Sequence, residues 1–175
     1  MTETRTRTYS WEDPLAALDE AAGLSGLDVM RLIVAGELPQ PPISKTLGFR
    51  LVEVEHGRAV FECEPAEFHY NPIGTVHAGL ASTLLDSAMG CAFVTTLVAG
   101  VGWTTLELKA SFTRPLTSET GLVRCTGTVV HPGRTVATTE ARIEDAAGRL
   151  YAHGTSTILV LSGGPRALDA DGDAS

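Results

Sequence analysis

The stretch from His77 to about Val98 constrains this chain more than any other, because it is the one long helical pattern in the central part and carries a single acidic side chain and no Lys or Arg. Leu80, Leu84, Ala88, Cys91 and Val94 recur at helical spacing. Small residues crowd the gaps: Ala78, Gly79, Ala81, Ser82, Ser87, Gly90 and Ala92. A helix that is apolar on most of its circumference has to be buried rather than laid on a surface. Its small side chains let other elements approach closely.

The flanking segments read as strands. Leu47–Glu55 and Arg58–Glu64 alternate in polarity around a His56-Gly57 turn, which is a β-hairpin. Pro65–Tyr70 reads as a helical turn, and Asn71-Pro72-Ile73-Gly74 as a loop. Beyond the helix come Trp103–Arg114, Leu122–Val130, Thr135–Glu144 and Arg149–Leu161. In the first of these, Leu106, Leu108, Ala110 and Phe112 are expected on one face and Thr105, Glu107, Lys109 and Ser111 on the other. Two strands, a buried helix and four strands predict an α+β fold, with an antiparallel sheet of about six strands around a central helix.

Residues 1–42 form an N-terminal helical extension in this reading. The first ten look flexible. Asp13-Pro14 suits the start of a short helix over Leu15–Ala22. Ser25 or Gly26 opens a second helix, with Leu27, Met30, Ile33 and Val34 as its stripe and Gly36 at its end. Pro39, Pro41 and Pro42 suggest an extended linker into a main domain spanning 43–162. Residues 163–175 read as a disordered tail.

The formal net charge is −8, and most of the acidity lies in the terminal segments. That argues against nucleic acid as a partner, while a near-neutral main domain can still bind an anionic ligand. No apolar run reaches the roughly 18 residues of a membrane span, and Met1–Ser10 has no apolar core of a secretory signal. A cytoplasmic protein with no membrane partner is expected. Cys63, Cys91 and Cys125 form no CxxC pair, so buried thiols are expected rather than a metal site or a disulfide framework.

The chemistry concentrates in Asn71–Asp86, NPIGTVHAGLASTLLD. Asp86 is a carboxylate inside an apolar helix, and no Lys or Arg occurs between Arg58 and Lys109 to pair with it. Burying such a group is costly unless it is hydrogen-bonded or used. Two readings stand: a catalytic carboxylate, or a structural one bonded to backbone or to Thr83 or Ser87. At the helix start, His77-Ala78-Gly79 offers backbone N–H groups that can hold an oxyanion, or an ordinary loop-to-helix junction. Gly79 and Asp86 lie about 10 Å apart on one helix at about 1.5 Å per residue. A base has to reach within about 3 Å of the reacting centre. Two antiparallel copies of the helix could supply both groups, which points to an obligate homodimer.

Gly74-Thr75-Val76-His77-Ala78-Gly79 with Asp86, followed by Thr104 through Pro115 (TTLELKASFTRP), resembles the PaaI-type hotdog acyl-CoA thioesterases. Gly133-Arg134 and Asp145-Ala146-Ala147-Gly148-Arg149-Leu150 fit the same pattern. The resemblance covers about residues 45–161 and implies the hotdog fold, in which the sheet wraps the central helix. It implies that Asn71 orients the nucleophilic water or the substrate. The oxyanion donor of the family's HGG turn falls on Ala78, where the family has Gly; an amide of negative φ can serve. Asp86 would be nucleophile or general base, supplied by the opposite subunit of a homodimer, alone or paired into a dimer of dimers. A hydroxyl falls on Thr105, or on Thr104 if the register slips by one. Arg114 and Arg134 are candidates to meet the CoA phosphates. His77 sits at the substrate rim, and its own residue reading is structural, bonding around the turn. His56, His69, His131 and His153 share no metal-binding spacing.

The implied reaction is hydrolysis of an acyl-CoA thioester to a carboxylic acid and CoA. It uses a polarised carbonyl, a carboxylate and water, with no metal or redox cofactor, CoA being part of the substrate. Another hotdog enzyme such as a hydratase and a non-catalytic acyl-CoA binding or regulatory module are the alternatives.

Overall fold

The computed structural model describes residues 3–161, and the tail expected at 163–175 lies outside them. Three short helices lead: α1 (Pro14–Glu20), α2 (Gly26–Ala35) and α3 (Pro42–Leu47). The hairpin β1 (Phe49–Glu55) and β2 (Arg58–Cys63) follows, then a 3-10 turn at Glu67–His69 and the long helix α4 (Ala78–Val94). Strands β3 (Gly102–Phe112), β4 (Val123–His131), β5 (Val136–Asp145) and β6 (Leu150–Leu161) complete the chain. All six strands join one antiparallel sheet in the order β1-β2-β4-β5-β6-β3. This is the α+β architecture that the pattern predicts and the hotdog fold that the resemblance implies.

α4 is buried as its composition requires. Leu84, Leu85, Ala88, Met89 and Ala92 have no exposed surface. The small residues act where backbone meets backbone or ring. A Cβ on Gly127 of β4 would come within 2.2 Å of the Ala88 carbonyl oxygen. One on Gly90 would come within 2.6 Å of the Trp103 ring. α4 therefore lies directly against β4, with the β3 indole seated over its Gly90.

The N-terminal extension packs on this core. Ser25 caps α2 through the Asp28 N–H, and Gly36 ends it at φ 78°. The Gly26 N–H donates to the Leu97 carbonyl at 3.0 Å, docking α2 at the C-terminal end of α4, and Met30 joins the main core. Two expectations change. Pro42 does not continue an extended linker: it opens α3, where a missing N–H is harmless in the first turn. The stretch before α1 carries no helix or strand, yet it is tied down. Arg7 donates to the carbonyls of Thr46 and Lys45 and lies 4.1 Å from the Phe68 ring centre.

The two edges of the sheet differ. β1 is blocked, because the Gln40 amide bonds both the N–H and the carbonyl of Leu51, at 3.1 and 3.2 Å. β3 is the other edge, and it leaves Leu106 57% and Phe112 49% exposed. β3 also corrects the expected alternation. Its register against β6 shifts between Thr105 and Glu107, so the phase flips at Leu106. Thr105 thereby faces α4 alongside the half-buried Leu108 and Ala110, while Leu106 turns out to solvent. Among the described residues, no helix is long and apolar enough to cross a membrane.

Candidate active site

The loop before α4 is shaped by Asn71. Its Oδ1 accepts from the N–H groups of Ile73 (3.0 Å) and Thr75 (3.3 Å), and its Nδ2 donates to Thr75 Oγ1 at 3.0 Å. Short Asx bonds of this kind close a turn without help from a regular element. The Val76 N–H then donates to the Leu116 carbonyl at 2.9 Å, and the His77 N–H to the His69 carbonyl at 2.8 Å. His69 is itself a fixed structural residue. It accepts from the Ala66 N–H at Nδ1, which leaves Nε2 to donate to the Leu47 carbonyl at 2.7 Å. Burial lowers its pKa, against the opposing effect of the Leu47 bond, and keeps the ring neutral.

His77 is the N-cap of α4. Its Nδ1 accepts from the Gly79 N–H at 2.8 Å. That agrees with the reading that it bonds around the turn, and it explains Gly79: a Cβ there would press on the same Nδ1 at 2.8 Å. The Gly79 N–H is therefore taken. The Ala78 N–H has no hydrogen-bond partner among the described residues, and no residue but glycine has a positive φ, so Ala78 meets the condition for an amide donor. With the helix dipole behind it, this is the free N–H best placed to hold a developing negative charge.

That end of α4 opens onto a cavity of about 290 Å³, whose lining includes Asn71, His77, Ala78, Phe112, Arg114 and Tyr151. Arg114 donates from Nη1 to the Leu150 carbonyl at 2.6 Å and forms no salt bridge among the described residues. A cation beside a helix N-terminus suits an anionic ligand.

Asp86 is elsewhere on the same helix, eight residues or about 12 Å beyond Ala78. Its Oδ1 accepts from Thr105 Oγ1 at 3.0 Å. Of the hydroxyls considered as structural partners, Thr83 instead bonds the Gly79 carbonyl at 2.9 Å. Asp86 Oδ2 has no hydrogen bond among the described residues. Thr104, one position earlier on β3, pairs with Leu159 and makes no side-chain bond to Asp86. Arg134 is apart from both groups. It lies in the β4–β5 connection near Val136, opposite Leu159, whereas Arg114 bonds Leu150 at the other end of β6.

One chain thus brings Asn71, His77, Ala78, Gly79 and Arg114 together, pairs Asp86 with Thr105 at a second place, and leaves Arg134 at a third. The sequence did not single out Tyr151 as a cavity wall. Its one signal was a bulky aromatic next to a turn. The three cysteines stay thiols: burial raises Cys63 to about 11 and Cys91 to about 12, and it raises Cys125 as well.

Comparison with known proteins gives the chain its relatives. A family model described as the thioesterase superfamily matches residues 73–152, which run from the Asn71 loop to β6. The 1,4-dihydroxy-2-naphthoyl-CoA hydrolase of Listeria monocytogenes is 27% identical over 118 residues, 67% of this chain and 94% of that one. Acyl-coenzyme A thioesterase 13 of Homo sapiens is 31% identical over 108 residues, 61% of this chain and 76% of that one. A thioesterase family protein of Silicibacter pomeroyi superposes with a TM-score of 0.67 at 29% identity, covering 77% of this chain and 99% of the other.

Proposed function

This chain belongs to the thioesterase superfamily, and we propose that it hydrolyses an acyl-CoA thioester to the free acid and CoA at a site shared between two copies of the chain. The observation that carries the reading is the separation on α4. An unpaired N–H at Ala78 opens onto the cavity, while the helix's one acid sits about 12 Å away, beyond the reach of the same carbonyl. A second α4 running antiparallel would bring its own Asp86 to the first copy's Ala78.

In this mechanism the thioester oxygen accepts from the Ala78 N–H, and the Asn71 loop and Arg114 orient the substrate beside it. Asp86 from the other copy faces the carbonyl carbon across a water molecule. As general base it takes a proton from water, whose oxygen bonds to that carbon as the negative charge moves to the thioester oxygen. Collapse of the tetrahedral intermediate breaks the C–S bond and releases CoA thiolate, which takes up a proton. Thr105 holds the carboxylate through one oxygen and leaves the other to meet water. Homodimerisation through β3 is supported by the contrast between the sheet edges: Gln40 blocks β1, and β3 is bare with two exposed apolar side chains.

The test is release of free thiol from a panel of acyl-CoAs. Hydrolysis that disappears in Asp86→Ala supports the reading, and failure across a broad panel by a folded wild-type protein overturns it.

A further inference from the structure

One wall of the cavity plays no part in the chemistry above. Tyr151, the second residue of β6, is 6% exposed and lines the cavity beside Phe112, Leu116, Val76 and Ala81. Its hydroxyl donates to Asp145 Oδ2 at 3.1 Å. Asp145 is saturated at that point. Its Oδ1 accepts the N–H groups of Ala147 (2.9 Å) and Arg149 (3.0 Å), and its Oδ2 also accepts Arg149 Nε at 2.6 Å. The side chain is 5% exposed. Burial by itself would raise its pKa, but the bonds from Arg149, Tyr151 and Ala147 hold it at about 2. An ionised carboxylate has no proton to give, so the Tyr151 hydroxyl proton is committed to it. What Tyr151 then offers a ligand is its ring and at most an acceptor.

The same stretch fixes the adjoining wall. The Tyr151 carbonyl accepts from the N–H groups of Thr113 (2.8 Å) and Arg114 (3.3 Å). The Leu150 carbonyl accepts from Thr113 Oγ1 (2.7 Å) and from Arg114 Nη1 (2.6 Å). A tyrosine tied at its hydroxyl and at its carbonyl cannot swing aside for a larger ligand.

We infer that Tyr151 sets the size of acyl group that this cavity admits, and that Asp145 is the positioning residue that keeps its ring in place. The inference rests on the thioesterase reading. Removing one methylene-sized obstruction from an apolar pocket shifts discrimination by about 10–200-fold, so losing a ring is a large change.

The experiment measures kcat/KM over acyl-CoAs of increasing bulk, from acetyl through branched and aryl groups, for the wild type, Tyr151→Ala, Tyr151→Phe, Asp145→Ala and Asp145→Asn. Tyr151→Ala is expected to raise the ratio of bulky to small substrates by about tenfold or more. Tyr151→Phe keeps the ring but frees it, and is expected to shift the ratio in the same direction by less. Asp145→Ala should shift the ratio as Tyr151→Phe does, and Asp145→Asn, which keeps an acceptor, should restore the wild-type ranking. A purely structural Asp145 would lower all substrates alike. An unchanged ranking in Tyr151→Ala and Tyr151→Phe overturns the inference while the thioesterase reading stands. A wild type that hydrolyses nothing in the panel overturns both.

Discussion

Thr105 on the edge strand β3 donates a hydrogen bond to Asp86, the one acid of α4, at 3.0 Å. The bond orients a carboxylate set among fully buried leucines and alanines, and it occupies one oxygen only. Asp86→Asn is expected to lower kcat by about 10²–10⁴-fold with little change in the unfolding midpoint. Thr105→Val removes the donor at nearly constant volume and should lower kcat about tenfold or more, while Thr105→Ser should stay near wild type. Thiol-release kinetics with thermal melts on the same samples check both.

The Ala78 amide can be deleted almost by itself. Proline suits the first turn of a helix, and His77 before it already has φ −63° and ψ 134°, the extended geometry that a following proline demands. Ala78→Pro should fold, keep its helix content by circular dichroism, and lose about 10²–10³-fold in kcat. Ala78→Gly keeps the N–H and should remain active.

Contact between α4 and the sheet leaves no room for a methyl group at Gly127, whose added Cβ would meet the Ala88 carbonyl at 2.2 Å. Gly127→Ala is expected to destabilise the fold by about 1–3 kcal/mol, read as a lower urea midpoint at fixed protein concentration.

Much of this was legible beforehand. The buried helix, the six strands, the helix start at His77–Gly79 and the lone acid Asp86 follow from local pattern, because helical and strand periodicities are set by each segment's own side chains, whereas Asn71 and Thr105 came from the resemblance to the hotdog thioesterases. Three things were not legible. The bulge after Thr105 inverts the strand's faces, and a polarity pattern alone cannot locate a slipped register. α3 was concealed by prolines that usually announce extended chain. The link from Asp145 to Tyr151 depends on a turn folding back on its own strand, so its spacing resembles an ordinary hairpin connection.

Acid should unfold the protein in two stages. The folded pKa of His69 is lowered by burial, so its contribution is complete above the unfolded value, about 6.5, and is lost as pH falls below that toward the folded value. Asp145 is held at about 2. Its contribution is complete above the unfolded value, about 3.9, and is lost as pH falls through the folded one. Urea titrations from pH 8 to 3 should show the first decline beginning near neutrality. His69→Gln should remove that first decline, and Asp145→Asn should flatten the steeper limb at lowest pH.

The shared site is tested most directly by mixing two inactive proteins. Asp86→Ala and Ala78→Pro are each expected to be inactive as homodimers. If a site takes Ala78 from one copy and Asp86 from the other, each mixed dimer holds one intact site and one doubly damaged one. After unfolding and refolding together in equal amounts, the mixture should recover about a quarter of wild-type activity, as random pairing in a two-fold dimer requires. A mixture that stays as inactive as its components, although mixed dimers are present, would contradict the account.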